Sequence, residues 1–142
     1  MHARLVICGV DFSSASAKAL RSAAAIARRG HGRLVVLFVE DAMLAAAARA
    51  AGDPRASTAS TTPALERFVK KALGRTARPR RLELARAVGN SADEILKVAT
   101  RRRADLIVLG TRGIGNAARF LLGSTAERVL RHARVPVLTV PS

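Results

Sequence analysis

The most specific chemistry in this sequence lies in glycines that stand between a predicted strand and a predicted helix. The strand ends at Leu109 and is followed by Gly110, Arg112 and Gly113, while Gly123-Ser124-Thr125 stands before the helix. Glycine lets the backbone approach a ligand closely, and consecutive N–H groups can then hold an anion. A helix start adds N–H groups without intrahelical partners and a dipole that favours negative charge. The pattern therefore indicates a phosphate-binding loop.

The same residues also have structural interpretations. Ser124 can cap its own helix, with Glu127 reciprocating in a capping box. Gly113 can simply turn the chain, and Arg112, which could pair with phosphates, is one of 21 arginines. A cap uses one hydroxyl and leaves other backbone donors free, so capping and phosphate binding are compatible.

A second set of candidates follows the first two predicted strands. Gly9 and Asp11 stand at the end of the first strand, where a carboxylate can accept from a ribose hydroxyl or support a metal-bound phosphate. Helix capping or turn formation is the alternative for Asp11. Val39 ends the second strand and could flank a base, with core packing as its alternative.

Covalent and metal chemistry find no support in the residue pattern. Cys8 lies within a predicted strand and indicates buried packing, and one cysteine excludes an internal disulfide. His2, His31 and His132 have neither metal-ligand nor triad spacing. The Walker pattern is absent, and the first strand–helix turn, 11–13, lacks the dinucleotide fingerprint. We therefore expect no catalytic residues and no metal cluster, and no general base is evident for rapid attack of water on a γ-phosphate.

Hydrophobic patterning predicts five strands that alternate with helices. The strands are expected at 4–10, 33–39, 82–88, 106–109 and 137–140. Helices are expected between them, with Ser13 or Ser14 as the first cap and capping boxes at 91–94 and 124–127. Near-continuous apolar runs are typical of strands buried on both faces. The alternation predicts a doubly wound α/β fold with an open parallel sheet, which binds ligands beyond the strands' carboxyl ends.

The stretch 41–63 interrupts this regular alternation. Its alanine-rich part, 45–51, favours helix, Gly52-Asp53-Pro54 breaks the pattern, and the Ser/Thr-rich 57–62 predicts a loop. We interpret 41–63 as a mobile insertion and not as a domain boundary. The length of 142 residues then suits a single domain over 1–142.

The charge balance leaves two interpretations open. The formal net charge is +15, which suits a polyanion-binding module as an alternative function. However, Arg outnumbers Lys 21 to 4, which favours coding bias as the origin of the charge. The cations are spread along the chain, and Tyr and Trp are absent, so specific nucleic-acid binding is not expected. No apolar run reaches the ~18 residues of a membrane span, and no leader is evident, which predicts a cytoplasmic protein.

Three segments resemble the universal stress protein family. They are 6–13, 104–113, and 120–125 together with 135–140. The family's ATP-binding subclass has a glycine, two residues, a second glycine, nine residues, a third glycine and then Ser or Thr. Gly110, Gly113, Gly123 and Ser124 match this spacing. The segment 42–62 matches nothing in the family, and Gly9 stands where some members have proline.

The resemblance implies a sheet of order 3-2-1-4-5 that binds ATP, with Mg as the phosphate counter-ion, or AMP or another adenine nucleotide. It implies that Asp11 and Val39 lie at the adenosine end. It implies that the ribose and phosphates are held by Gly110, Arg112, Gly113, Gly123, Ser124 and Thr125, and Gly9 and Leu109 complete the expected site. The last strand, Val137, Leu138, Thr139 and Val140, is expected to form a homodimer. The implied role is regulation in the stress response.

Overall fold

Strands and helices alternate along the chain in the computed structural model, which describes residues 2–52, 58–111 and 122–142. The strands are β1 (Leu5–Val10), β2 (Arg33–Asp41), β3 (Arg81–Gly89), β4 (Leu106–Gly110) and β5 (Val137–Val140). The helices are α1 (Ser14–Arg29), α2 (Ala42–Ala50), α3 (Thr58–Leu73), α4 (Ser91–Arg102) and α5 (Ser124–His132). All five predicted strands are confirmed, with small differences at their ends. Within the described ranges, no helix has the length and apolar character needed to cross a membrane.

The five strands form one parallel sheet in the order β3-β2-β1-β4-β5. In β1, Val6 pairs with Leu34 of β2 on one side and with Leu106 of β4 on the other. The expected doubly wound α/β fold and its strand order are therefore confirmed. Because β1 and β4 are neighbours in space but distant in sequence, the order of the strands reverses between them. Ligands of such sheets bind at this reversal, beyond the carboxyl ends of the strands.

Alternate strand residues build a core on each face of the sheet. Cys8 and Val36 pack with residues of α1 and α3 on one face, while Ile7, Val35 and Ile107 pack with residues of α4 and α5 on the other. All five side chains are fully buried. This explains why the strands show unbroken apolar runs and not alternation.

The prediction of a loop over 57–62 is wrong from residue 58 onward, since α3 begins at Thr58. The helix includes Pro63, which lacks the N–H that would bond back along the helix. Its later turns bury Leu65, Val69 and Leu73 against α1, and this tertiary packing overrides the weak local propensity. The helix predicted within 45–51 is present as α2. The mobility expected of 41–63 stays a prediction.

The helix caps agree with the sequence at α1 and differ at α4. Ser13 caps α1, with its Oγ accepting from the Ser16 N–H at 3.1 Å. The predicted capping box at 91–94 is wrong, because Asn90 is the cap and its Oδ1 accepts from the Asp93 N–H at 3.1 Å. Asn caps a helix as well as Ser does, so α4 begins one residue earlier than expected. The Glu94 carboxylate instead pairs with Lys97 at 3.1 Å.

Cys8 is expected to be chemically silent in the folded protein. Its side chain is fully buried in the central strand, and burial raises the pKa of the thiol. The thiolate is the reactive form, so a thiol reagent should modify Cys8 only when the protein unfolds. Ellman's reagent added with and without urea measures this directly. Fast stoichiometric labelling in native buffer would contradict the packing described here.

One ion pair fastens the end of α4 to the edge strand β3. The Arg102 guanidinium donates from Nη1 to Glu83 Oε1 at 3.0 Å and from Nη2 to Oε2 at 2.7 Å. The hydrogen bonds and charge of Arg102 lower the pKa of Glu83. A lowered carboxyl pKa stabilises the fold above the unfolded value of about 4.3, and the contribution is lost as pH falls through the folded value.

Glu83→Gln should lower the free energy of unfolding at neutral pH by at most about 1 kcal/mol, because both partners are partly exposed. The difference from the parent protein should shrink in acid, where the parent's Glu83 is protonated. Urea unfolding across the acid range measures both effects. Glu66→Gln, an exposed site on α3, is the matched control. A deficit for Glu83→Gln that did not change with pH would show that the charge is not responsible.

Candidate functional site

A cavity of about 270 Å³ opens to solvent at the carboxyl edge of the sheet, where β1 and β4 meet the first turns of α4 and α5. Ligand clefts in proteins commonly measure about 300–1,000 Å³, so this cavity lies just below that range. Its described walls are Gly9, Val10, Asp11, Ser16, Leu37, Val39, Ser91, Ile95, Leu109, Gly110, Thr111, Gly123, Ser124, Thr125 and Ala126.

The cavity gathers candidate residues that the sequence identified in four separate segments, which are 9–11, Val39, 109–113 and 123–125. Eight of the ten border it: Gly9, Asp11, Val39, Leu109, Gly110, Gly123, Ser124 and Thr125. The other two, Arg112 and Gly113, lie outside the described residues. Their common location is a structural observation, while their roles in binding stay predictions.

The start of α5 differs from the predicted capping box. The cap is Gly123, which has no side chain to bond, and Glu127 pairs with Arg131 at 2.9 Å instead of returning to the helix start. The first bond within the helix runs from the Glu127 N–H to the Gly123 carbonyl at 3.0 Å. Among the described residues, nothing accepts from the N–H groups of Ser124, Thr125 and Ala126. These donors therefore remain available to a ligand in the cavity they border.

Two backbone hydrogen bonds hold this helix start beside β4. The Gly123 N–H donates to the Thr111 carbonyl at 2.6 Å, and the Thr111 N–H donates to the Val140 carbonyl at 3.0 Å. The residues on either side of 112–121 are thus joined to each other and to the last strand. These main-chain hydrogen bonds fix the helix start at the carboxyl edge. Such bonds can form whatever side chains the residues carry.

Asp11 has the local structural role that the sequence left open, and it also borders the cavity. Its Oδ1 accepts from the N–H of Ser13 at 3.0 Å and from the Ser13 hydroxyl. Its own N–H donates to Ser16 Oγ at 3.3 Å. Because both hydrogen bonds from Ser13 reach Oδ1, Oδ2 can face a ligand while Oδ1 organises the start of α1.

The residue after Asp11 has an unusual backbone conformation. Phe12 has a φ of +66°, which is costly for a bulky side chain. Its ring lies 4.7 Å from that of Phe38 and 5.4 Å from that of Phe68, measured between centroids. We attribute this backbone conformation to the contacts with Phe38 and Phe68. They hold the Phe12 ring away from the cavity, so the ring does not cover Asp11.

An apolar wall lines another part of the cavity. Val39 is 9% exposed and belongs to the core beneath α4, and it also borders the cavity. Core packing and a position beside the cavity are therefore compatible. Leu37, Ile95 and Leu109 complete this wall. Such a surface suits a flat, uncharged ring, whereas the helix start suits an anion.

Gly110 has a packing reason to be glycine. A Cβ on Gly110 would lie 2.9 Å from the Ala15 carbonyl carbon, because α1 begins directly against the end of β4. Sequence reasoning assigned Gly110 to ligand approach, and close contact within the protein also accounts for it. At Gly9 a Cβ would meet only Leu109 Cδ2 and Ile95 Cδ1, which are ends of flexible side chains.

Several cavity residues were not identified from the sequence. Ser91 and Thr111 could have been found by extending the search to every residue that follows a strand. Ser16, Leu37 and Ile95 have no comparable signal in the sequence, because they lie within helices or a strand and do not follow the end of a strand. Among the described walls, the only charged side chain is that of Asp11, so the donors that these walls offer to an anion are backbone N–H groups and the hydroxyls of serine and threonine.

The fold and the cavity define an open parallel α/β protein with a ligand site at the reversal of strand order. The sequence profile of the universal stress protein family matches residues 3–141. The chain therefore belongs to the universal stress protein family.

Relatives in sequence extend over different lengths. A universal stress protein of Mycobacterium tuberculosis is 32% identical over 143 residues, which cover 96% of this chain and 95% of that protein. A universal stress protein of Methanocaldococcus jannaschii is 52% identical over 52 residues, and one of Thermus aquaticus is 46% identical over 52 residues. Each covers 37% of this chain, and these matches span 31% and 38% of the two relatives.

Solved structures agree with the fold over nearly the whole chain. The universal stress protein UspA from Lactobacillus plantarum superposes with a TM-score of 0.78 at 27% identity, covering 96% of both chains. A universal stress protein in complex with cAMP superposes with a TM-score of 0.74 at 25% identity, covering 98% of this chain and 97% of that one.

Proposed function

We propose that this protein binds ATP in the cavity between β1 and β4 and acts as a regulatory module of the stress response. The observation that supports this most is the start of α5, where the N–H groups of Ser124, Thr125 and Ala126 have no acceptor among the described residues. These N–H groups favour an anionic ligand, because a helix start presents both hydrogen-bond donors and a favourable dipole. Each charge-assisted hydrogen bond to phosphate contributes roughly 1.5–3 kcal/mol.

The apolar wall supports a nucleotide over a free phosphate. Val39, Leu37 and Ile95 offer a surface for a base, and the helix start lies in the same cavity. A related structure holds cAMP, which combines an adenine with one phosphate. We place the base against Val39 and the phosphates beside Gly123-Ser124-Thr125, with Gly9, Leu109 and Gly110 between them. Arg112 and Gly113 are proposed to add to the phosphate side, as the family spacing implies.

Magnesium fits this proposal as a companion of the phosphates. The described cavity wall contains one carboxylate, Asp11, whose Oδ2 is not used in the contacts to Ser13. Mg²⁺ is commonly bound by one or two carboxylates together with substrate phosphates. Mg²⁺ supplies positive charge to the phosphates, and Asp11 would hold it or accept from a ribose hydroxyl.

The protein is proposed to use nucleotide as a signal, with slow hydrolysis or none. The described cavity wall contains no histidine, lysine or second carboxylate to activate a water, so rapid turnover is not expected. Nucleotide would bias contacts with a second copy or another protein through its differential affinity for the two states.

The outer edge of β5 is proposed to pair with a second copy of the chain. The N–H groups of Ile107 and Thr111 donate to the carbonyls of Pro136 and Val140, so these carbonyls face β4. In a parallel pair, backbone groups face the partner at every second residue, so the residues next to Pro136 and Val140 turn their N–H and C=O groups outward. Val137 and Thr139 therefore present free edge groups, and Leu138 beside them is 38% exposed. An exposed apolar edge favours pairing with another strand.

Mg-ATP should bind the purified protein with micromolar affinity, and the double variant Gly123→Val, Ser124→Ala should bind at least about tenfold more weakly. The backbone of Gly123 is extended, so valine fits its conformation while adding bulk beside the N–H donors. Isothermal titration calorimetry measures both affinities. Ser14→Ala, an exposed first residue of α1, is the matched control and should bind as the parent does. An absence of binding at millimolar ATP in the parent would contradict the proposal.

Thr139→Pro should convert the dimer to a monomer while leaving the fold intact. Proline removes an outward N–H without touching the bonds between β4 and β5. Light scattering after size-exclusion chromatography measures the mass, and circular dichroism checks the fold. A dimer that survives this substitution would place the contact elsewhere.

A further inference from the structure

The cations that seem dispersed in the sequence converge at one edge of the fold. Each long helix runs antiparallel to the strands, so helix ends and strand starts meet at the edge opposite the cavity, here called the amino edge. Arg28 and Arg29 lie in the last turn of α1, Arg101 and Arg102 in that of α4, and Arg131 in that of α5. Together with strand starts and loops, the amino edge holds about half of the 25 Lys and Arg residues.

Strand starts and their preceding loops add cations that no helix dipole explains. Arg33 and Arg81 are the first residues of β2 and β3 and are paired neighbours in the sheet. Strands are about 4.8 Å apart, so these two exposed arginines begin side by side. Arg4, Arg78 and Arg80 precede strand starts nearby and are exposed as well.

Negative charge at the amino edge is nearly absent among the described residues and is already engaged. Asp105 accepts from the N–H groups of Arg4 and Leu5 at 2.8 and 2.9 Å. Glu83 is bonded to Arg102. The other described carboxylates lie on the carboxyl half of the fold or along helices. Uncompensated like charges destabilise a compact state unless an external anion neutralises them. Coding bias can explain how many arginines there are, but not why they collect here.

The amino edge also has a concave part. A hollow of about 190 Å³ between α4 and α5 is bordered by Thr100, Arg103, His132 and Arg134 above an apolar floor. Both arginines are exposed at the rim. The hollow can receive a phosphate group from a larger ligand, because guanidinium and hydroxyl donors surround it.

We propose that the amino edge binds the phosphate backbone of double-stranded nucleic acid without sequence preference. The ligand class follows from the residues present. Arginine binds phosphate through two parallel hydrogen bonds, and the chain uses 21 arginines against 4 lysines. Four strand spacings give a width of about 19 Å, which matches about six base pairs at 3.4 Å each.

A duplex fits this surface better than a single strand or a membrane. Single strands are held by aromatic rings that stack on bases, and the described aromatics, Phe12, Phe38 and Phe68, contact one another around the β1–α1 loop. Membrane surfaces are held by basic residues combined with exposed apolar ones. Within the described ranges, Leu130 in the last turn of α5 is the one large apolar side chain exposed at the amino edge, and a single side chain does not make an apolar patch. This binding surface is separate from the nucleotide cavity and does not depend on it.

The test compares two variants of the full chain that have the same net charge. The amino-edge variant combines Arg33→Gln, Arg81→Gln and Arg134→Gln. The control variant combines Lys18→Gln, Arg21→Gln and Arg67→Gln, which are exposed in the middle of helices and away from that edge. Fluorescence anisotropy follows a labelled duplex of arbitrary sequence at increasing KCl, and circular dichroism and Mg-ATP titration check the fold and the cavity.

The parent should bind the duplex with an affinity that falls steeply with salt. The amino-edge variant should lose at least about tenfold in affinity, and the slope of log K against log salt should decrease by about 2–3, because three phosphate contacts are removed. The control variant should behave as the parent does. If the triple variant does not fold, Arg134→Gln alone should decrease the slope by about 1.

Four results would overturn the proposal. They are equal losses in both triple variants, an absence of duplex binding at low salt, tighter binding to a single strand of the same length, and binding to anionic phospholipid vesicles without binding to the duplex. If the amino-edge variant still binds Mg-ATP, the nucleotide cavity is intact. A result against duplex binding then leaves the proposed function of the cavity unaffected.

Discussion

The parallel direction of all five strands is the constraint on which the rest of the molecule depends. A parallel sheet requires each crossover helix to return in the opposite direction, so strand ends and helix starts meet at one edge, and helix ends and strand starts meet at the other. The first edge therefore has free N–H donors and the positive ends of helix dipoles. The second edge has carbonyl groups, which attract cations. The cavity and the basic surface both follow from this polarity.

The cavity depends on the main chain more than on side chains. The hydrogen bond from Gly123 to Thr111 and that from Thr111 to Val140 place the start of α5 beside β4. The exclusion of a Cβ at Gly110 lets α1 begin against the same strand. Asp11 joins the arrangement through Ser13, while Phe12 is held on the far side by other aromatic rings. Because bonds between backbone atoms define the site, its shape can persist while side chains in the family vary.

Sequence reasoning succeeded where a local pattern has one structural meaning. Buried strands with apolar runs, such as Val35 to Leu37, are unambiguous. Eight candidate residues border one cavity, while their roles in binding stay predictions. Sequence reasoning failed where several local solutions have similar energies. Asn90 and Ser91 cap equally well, Gly123 displaced Ser124 as a cap, and the burial of Leu65 extended α3 through a Ser/Thr-rich stretch. The basic edge was missed because Arg33 and Arg81 are distant in sequence and become neighbours only through the register of β2 and β3.

The central claim is that the free N–H groups at the start of α5 hold the phosphates of a nucleotide. Amide nuclear magnetic resonance of the 15N-labelled protein tests it most directly, since each N–H is observed separately. Addition of Mg-ATP should move the amide signals of Ser124, Thr125 and Ala126 strongly downfield, as expected for donors to an anion, with smaller changes at Val39 and Ile95. Unchanged signals at all three α5 amides under saturating nucleotide, with the changes confined to other parts of the chain, would contradict the account.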